Sequence, residues 1–209
     1  MSDPKVSYNI YKTLTKKDIN PNIFTTNCTP AQIIELGKRH TKQILEGYQK
    51  RIKSKTTPNI VIDYGCGDGR IAQFMAGECG ELVCLDVNPL VIEAAKSALS
   101  KHNNIEFHLA DDFKVPNCAD LICSFQVLQH NTPEDQVKIM FHIYTLLKSG
   151  GIACVHFTKL EDSPLQNTPI FMCFTRSQVE TFGKMFTSCE VEKAEFAPDW
   201  VDYYLWVKK

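Results

Sequence analysis

Val61-Ile62-Asp63-Tyr64-Gly65-Cys66-Gly67-Asp68-Gly69-Arg70 is the stretch on which the reading of this chain turns. A run of β-formers ends in an acid, and glycines follow at alternate positions before the amphipathic Ile71-Ala72-Gln73-Phe74. Glycine reaches backbone conformations closed to other residues and removes the side chains that would hold a ligand off the main chain. A strand that ends in such a turn and passes into a helix predicts a ligand close to the backbone.

Strands and helices alternate outward from this turn. Short β-rich runs lie at Asn59–Tyr64, Leu82–Val87, Ile105–Leu109, Ala119–Phe125 and Gly151–Phe157, several of them apolar on both faces, as in strands covered by helices on both sides. Four helix starts are legible between and around them. Thr29-Pro30-Ala31-Gln32 is a capping-box pattern opening a helix to about Arg51, with Ile33, Leu36, Ile44, Tyr48 and Ile52 near helical period. Asn88-Pro89 and Thr132-Pro133 open two more, and Thr175 with Gln178 a fourth without the proline. Alternation of this kind predicts α/β architecture with a mostly parallel sheet and right-handed crossovers. After residue 157 a loop from Glu161 to Pro169 leads to a helix, then to Cys189–Phe196 and Val201–Val207 separated by Pro198-Asp199. The last two runs predict a C-terminal antiparallel hairpin.

At 209 residues the chain is expected to be one domain, with residues 1–55 as an arm, helix and cap, and 56–209 as a cofactor-binding core. With 44% hydrophobic and 22% charged residues it has apolar surface enough to fold, which excludes a disordered chain. A net charge of -1 lacks the basic excess of a dedicated nucleic-acid module. The nine cysteines are odd in number and form no CxxC pair, and Cys84, Cys123 and Cys154 sit in apolar runs, so they read as structural thiols rather than metal ligands. The first twelve residues lack the apolar stretch of a secretion signal, and no apolar run approaches the roughly 18 residues of a membrane span. A reducing cytoplasm is the expected compartment, with no membrane association.

In an open parallel sheet, ligands bind beyond the carboxyl ends of the strands. Asp86, seventeen residues after Gly69, ends the second strand, where a carboxylate can accept from both hydroxyls of a ribose. The third strand ends in Leu109-Ala110-Asp111-Asp112-Phe113, which puts an acceptor within reach of an adenine amino group. The residue three after Gly67 is Arg70, so the G-x-G-x-x-G dinucleotide spacing fails, and there is no Walker lysine.

D-x-G-x-G-x-G, with acids at the next two strand ends, is similar to the pattern of the class I S-adenosylmethionine-dependent methyltransferases. Ala119-Asp120-Leu121-Ile122-Cys123-Ser124-Phe125-Gln126-Val127-Leu128-Gln129-His130 and Leu146-Leu147-Lys148-Ser149-Gly150-Gly151 resemble two further motifs of that family. The resemblance covers roughly residues 59–157. It implies a Rossmann-like, mostly parallel seven-stranded sheet with helices on both faces, S-adenosyl-L-methionine as cofactor, and no metal. It assigns Asp63, Gly65 and Gly67 to the methionine part of the cofactor, Asp63 facing its ammonium. Asp86 is then the ribose acid, Asp111 the adenine-amino acceptor with Asp112 and Phe113 beside the ring, and Ser124 and Phe125 meet the methionine moiety near the reactive methyl. Tyr64 and Cys66 carry no assignment.

A sulfonium methyl is already activated, so positioning an O, N, S or C nucleophile in line with it can suffice. Where a proton must leave, His156 at the end of the fifth strand and His130 after the fourth are the candidate bases. The alternative for His156 is a strand histidine with a satisfied hydrogen bond, and for His130 a turn-closing residue. His40, His102, His108 and His142 are expected on helices or near strand starts, in packing or solvent. Tyr8, Tyr11, Phe24, Trp200, Tyr203 and Tyr204 could line an acceptor pocket or fill the core, and the basic residues from Lys38 to Lys55 read as the wet face of a helix. The arm before residue 30 and the loop from Lys159 to Arg176 are expected to flank the strand ends and cover the cofactor. Ser124-Phe125-Gln126-Val127 stands where amino-directed nucleic-acid enzymes of the family carry N-P-P-Y, and there is no Pro-Cys nucleophile. A small-molecule acceptor is therefore expected, not DNA. The alternatives are a protein or RNA acceptor, a catalytically silent cofactor-binding partner protein, and a nicotinamide oxidoreductase of the same fold.

Overall fold

The computed structural model describes residues 29–159, 172–197 and 200–209, with side chains 194–201 outside the description. Expectations for the arm before residue 29, the loop around Glu161 to Pro169, the Pro198-Asp199 turn and the side chains of Tyr8, Tyr11, Phe24 and Trp200 lie outside these residues. The chain divides into two compact units, one within Lys12–Lys114 and one within Val115–Lys209. Their seven strands are those of a mixed sheet.

In the first unit, α1 (Pro30–Ile52) precedes β1 (Ile60–Tyr64), a short helix α2 (Ala72–Met75) continued by a 3-10 turn, β2 (Glu81–Asp86), α3 (Pro89–Ala98) and β3 (Ile105–Leu109). The order is β3-β2-β1, and both pairings are parallel, with Asp63 level with Cys84 and Asp86 with Leu109. α1 starts where the capping box requires: Thr29 Oγ1 accepts from the Gln32 amide at 3.3 Å, and Gln32 Oε1 accepts from the Thr29 amide at 2.7 Å. Asn88 caps α3 in the same way by accepting from the Leu90 amide at 2.9 Å.

The buried face of α1 differs from the one its apolar period suggests. Gly37, His40, Thr41, Ile44 and Tyr48 are buried, whereas Ile33, Leu36 and Ile52 are only half-buried. The helix lies so close to the segment after the glycine turn that a Cβ on Gly37 would stand 2.3 Å from the Arg70 carbonyl oxygen. Ile44 and Tyr48 are buried as the period suggests, and small and polar groups take the face at Gly37, His40 and Thr41, where its neighbour is backbone. Thr41 donates to the Ile71 carbonyl at 3.5 Å, and Arg70 Nη1 donates to His40 Nδ1 at 2.8 Å. Of the basic residues read as a solvated face, Lys38, Lys42, Lys50, Lys53 and Lys55 are exposed, whereas Arg39 and Arg51 are half-buried.

In the second unit, β4 (Ala119–Ser124), a 3-10 turn (Leu128–His130), α4 (Pro133–Leu146), β5 (Leu147–Phe157), α5 (Arg176–Gly183), β6 (Ser188–Ala197) and β7 (Trp200–Lys208) follow. Thr132 and Thr175 cap α4 and α5. The order is β4-β5-β7-β6, with β4 parallel to β5 and both pairings of β7 antiparallel. The last strand thus lies between β5 and β6 and completes the antiparallel hairpin.

The Leu146–Gly151 segment, read as a turn, is instead mostly the irregular start of β5. Ala119 pairs with Leu147 and Leu121 with Ile152, so the intervening residues of β5 bulge out of the ladder. Gly150 sits there at φ +79°, and a Cβ on Gly151 would come within 2.8 Å of the Ala119 carbonyl. Cys84, Cys123 and Cys154 are fully buried, and no cluster of metal-ligating side chains occurs among the described residues. Among those residues no helix is long and apolar enough to cross a membrane.

Candidate cofactor site

The turn after β1 is folded onto the end of β2 by backbone hydrogen bonds. The amides of Gly65 and Cys66 both donate to the Leu85 carbonyl, at 2.7 and 2.9 Å. Gly65, Gly67 and Gly69 have φ of +80°, +55° and +88°, the left-handed region that L side chains rarely adopt. Two of these glycines do different work. A Cβ on Gly69 would lie 2.6 Å from the Leu99 side chain, so Gly69 lets the turn pack on the end of α3. A Cβ on Gly67 would meet nothing within 4 Å, so Gly67 faces open space.

Asp86 joins turn, strand and helix. Its Oδ2 accepts from the Gly67 amide at 3.1 Å and its Oδ1 from the Asn88 amide at 3.0 Å. Each carboxylate oxygen has two lone pairs, so both keep acceptor capacity beyond these bonds. Burial pushes the Asp86 carboxyl up from its ordinary range, against the backbone amides of Asn88, Gly67 and Val87 that favour the ionised form. Asp63 is buried in β1 at 2% exposure. Asp68, inside the turn, is also raised by burial, with Arg70 opposing. The Cys66 thiol is pushed well up by its hydrogen bond with Cys84 and by burial, so it stays a neutral thiol and no nucleophile.

At the end of β3, Asp111 and Asp112 are exposed and Phe113 is buried. The Phe113 amide donates to the Leu109 carbonyl at 3.2 Å, which turns its ring back toward His108, 5.1 Å away between centroids. His108 thus lies at the far end of β3 and not at its start, next to a residue assigned to the adenine. Gly37 and Arg70 are further residues to which sequence reasoning assigned no role, and His40 packs on its helix as expected. They hold the segment that follows the turn, and a glycine in mid-helix was the one available signal.

In the second unit, Ser124 is fully buried at the end of β4, and its Oγ has no hydrogen-bond partner among the described residues. Phe125 is buried next to it, and Gln126 follows at φ +60°. His156 is 1% exposed and both ring nitrogens have protein partners. Nε2 lies 2.8 Å from Asp202 Oδ2, and Nδ1 lies 3.4 Å from the Gln126 amide nitrogen. Tyr203 and Tyr204 are buried, Tyr204 against the Phe125 ring at 5.1 Å, which is core packing. His130 is half-buried in the 3-10 turn, where its amide donates to the Val127 carbonyl.

Residues 61–151 match a family model described as a methyltransferase domain. A probable S-adenosylmethionine-dependent methyltransferase of Mycobacterium tuberculosis is 24% identical over 129 residues, 61% of this chain and 46% of that protein. This chain therefore spans about half the length of that curated relative. The structure superposes on Burkholderia thailandensis 1,6-didemethyltoxoflavin-N1-methyltransferase, bound to S-adenosylhomocysteine, with a TM-score of 0.72 at 14% identity, covering 100% of this chain and 91% of that one. For the N-methyltransferase NodS of Bradyrhizobium japonicum in complex with S-adenosylhomocysteine, the TM-score is 0.72 at 16% identity, over 96% and 98%. The fold is that of the Rossmann-like methyltransferases, and residues 61–151 are similar to the methyltransferase domain.

Proposed function

We propose that this chain is a methyltransferase that binds S-adenosyl-L-methionine at the ends of β1, β2 and β3 and methylates an O, N, S or C nucleophile of a small molecule. The observation that carries the reading is the Asp86 carboxylate, held between the Gly67 and Asn88 amides with acceptor capacity to spare, beside a Gly67 that faces open space. A nucleoside with two free hydroxyls fits that chemistry. The residues assigned to the cofactor are Asp63, Gly65 and Gly67 for its amino-acid part, Asp86 for the ribose, Asp111, Asp112 and Phe113 for the adenine, and Ser124 and Phe125 near the methyl. The B. thailandensis and B. japonicum proteins are named as N-methyltransferases, the former with bound 1,6-didemethyltoxoflavin, in keeping with a small-molecule acceptor here. The single-domain reading with residues 56–209 as core, and a cytoplasmic location, belong to the same proposal.

S-adenosylmethionine, when bound, supplies an activated sulfonium methyl. The chain's own contribution is to orient and to exclude water, which is where proximity has its largest effect. His130 is the candidate base for an acceptor that must lose a proton. His156 could take one only by giving up the Gln126 amide at Nδ1, since its other nitrogen faces Asp202.

Calorimetric titration with S-adenosylmethionine, S-adenosylhomocysteine and NAD, followed by an acceptor screen read as S-adenosylhomocysteine release, tests the proposal. Binding of the first two without NAD, and release with an acceptor, is the expected result. Binding without release from any acceptor class would favour a silent partner protein, and binding of NAD alone an oxidoreductase. Gly67→Ala is expected to separate fold from function. The variant should still fold and melt a few degrees lower, since one left-handed non-glycine residue costs about 1–2 kcal/mol. Its affinity for S-adenosylhomocysteine should fall by about tenfold, roughly 1.4 kcal/mol, because the methyl occupies the open space.

A further inference from the structure

We propose that Asp202 and His156 form a clamp that holds the Ser124–Gln126 turn in its working shape, so that both are positioning residues for the proposed methyl transfer. Every part of the clamp lies in the second unit. Asp202, from β7, is 1% exposed, and its two oxygens have separate jobs. Oδ1 accepts from the Lys159 amide at 2.8 Å, just past the end of β5, and Oδ2 faces His156 Nε2 at 2.8 Å. The other ring nitrogen, Nδ1, accepts from the Gln126 amide at 3.4 Å.

This chain of bonds determines the histidine's tautomer. A backbone N–H only donates, so Nδ1 must present its lone pair, and the ring proton sits on Nε2, where the carboxylate accepts it. Phe125 stacks on the same ring at 5.6 Å between centroids with 19° between planes, and Tyr204 closes edge-on at 5.1 Å from Phe125 and 6.0 Å from His156. The histidine thus grips the turn twice, through the Phe125 ring and the Gln126 amide.

The grip has a purpose because Gln126 has φ +60°, the left-handed conformation that a residue with a Cβ avoids. Such backbone persists only where its surroundings over-determine it. The turn so held contains Ser124 and Phe125, the residues assigned near the methyl, and the inference rests on that assignment. Asp202 and the turn are far apart in sequence, so no motif reveals their connection.

Asp202→Asn tests the clamp through the tautomer. If Asn Oδ1 keeps the Lys159 amide, its NH2 faces Nε2 and drives the ring proton to Nδ1, where it opposes the Gln126 N–H. Long-range 15N–1H correlation on the parent chain should show the Nε2–H form of His156, and on Asp202→Asn the Nδ1–H form with a shifted Gln126 amide resonance. Affinity for S-adenosylhomocysteine should fall by about tenfold or more, the size of effect that follows from leaving a buried donor unsatisfied. Adding Gln126→Gly should restore most of it, since glycine holds the left-handed turn unaided. Melting curves that show every variant folded at the titration temperature separate this from a role in stability alone.

An Nδ1–H tautomer in the parent, unchanged affinity in Asp202→Asn, or no rescue by Gln126→Gly would each overturn the proposal. If Asp202→Asn fails to fold, His156→Asn serves in its place. Its side-chain oxygen can still accept from Gln126, so it should bind more tightly than His156→Phe, and equal loss in both would overturn the clamp. A parent chain that binds neither nucleoside would sink the functional reading, and the tautomer and the Gln126 resonance would still decide the clamp.

Discussion

Asp86→Ala is expected to weaken S-adenosylmethionine and S-adenosylhomocysteine binding by at least about 100-fold, roughly 2.7 kcal/mol. The size follows from what the carboxylate does. It satisfies the Gly67 amide at 3.1 Å and the Asn88 amide at 3.0 Å, and in the proposed complex it would also accept from the ribose. Alanine removes the ribose acceptor and the tether on the Gly67 amide, while the Gly65 and Cys66 amides still hold the turn on the Leu85 carbonyl, so direct contact is lost together with part of the preorganisation. A hydrogen bond to a charged acceptor contributes about 1.5–3 kcal/mol, which the ribose would lose. Calorimetry checks the affinity, and a melting curve checks that the protein still folds. Unchanged binding would remove Asp86 from the site.

The same group predicts a pH dependence. Burial raises the Asp86 carboxyl above its ordinary value in the cofactor-free protein. Ribose hydroxyls donating to it would favour the ionised form and draw it back down on binding. Affinity is therefore full above the raised value and declines as pH falls through it. In that interval binding releases a proton, which calorimetry in buffers of different ionisation enthalpy detects. The contribution to folding has the opposite sense. A carboxyl raised by folding is penalised when ionised, so its contribution to stability improves as pH falls from the raised value toward the ordinary one.

The largest effect on stability is expected at Gly37. Alanine in mid-helix ordinarily gains about 1 kcal/mol over glycine. Here its Cβ would stand 2.3 Å from the Arg70 carbonyl oxygen and 2.8 Å from the Phe74 ring. The first of these is backbone and cannot rotate away, so α1 must shift from the segment it supports. Overpacking costs about 1–3 kcal/mol, and displacement of the Arg70–His40 and Thr41–Ile71 hydrogen bonds adds to it. A net loss near 2 kcal/mol is expected, a fall of about 4–8 °C in Tm. A variant as stable as the parent would mean that α1 does not support the turn at this point.

The helix starts were legible because they are local. Thr29, Asn88, Thr132 and Thr175 each satisfy amides two or three residues ahead, and a window of five residues contains both partners. The α/β alternation and the glycine turn were legible for a similar reason, since burial on both faces of a strand and a need for left-handed backbone are written in consecutive residues. The acids at the ends of β2 and β3 follow from that frame, because a strand's carboxyl end is a place in the sequence as well as in space.

Tertiary structure decided what depends on segments brought together from a distance. No local pattern says that β7 lies between β5 and β6, or that Asp202 meets His156 across that arrangement. Nor does the repeat of glycines reveal that Gly69 yields to Leu99 whereas Gly67 stands in the open. The face of α1 was misjudged for the same physical reason. Apolar period marks a helix that packs on side chains, and α1 packs closely on backbone at Arg70 and Ile71, where a glycine, a histidine and a threonine fit and larger apolar side chains do not.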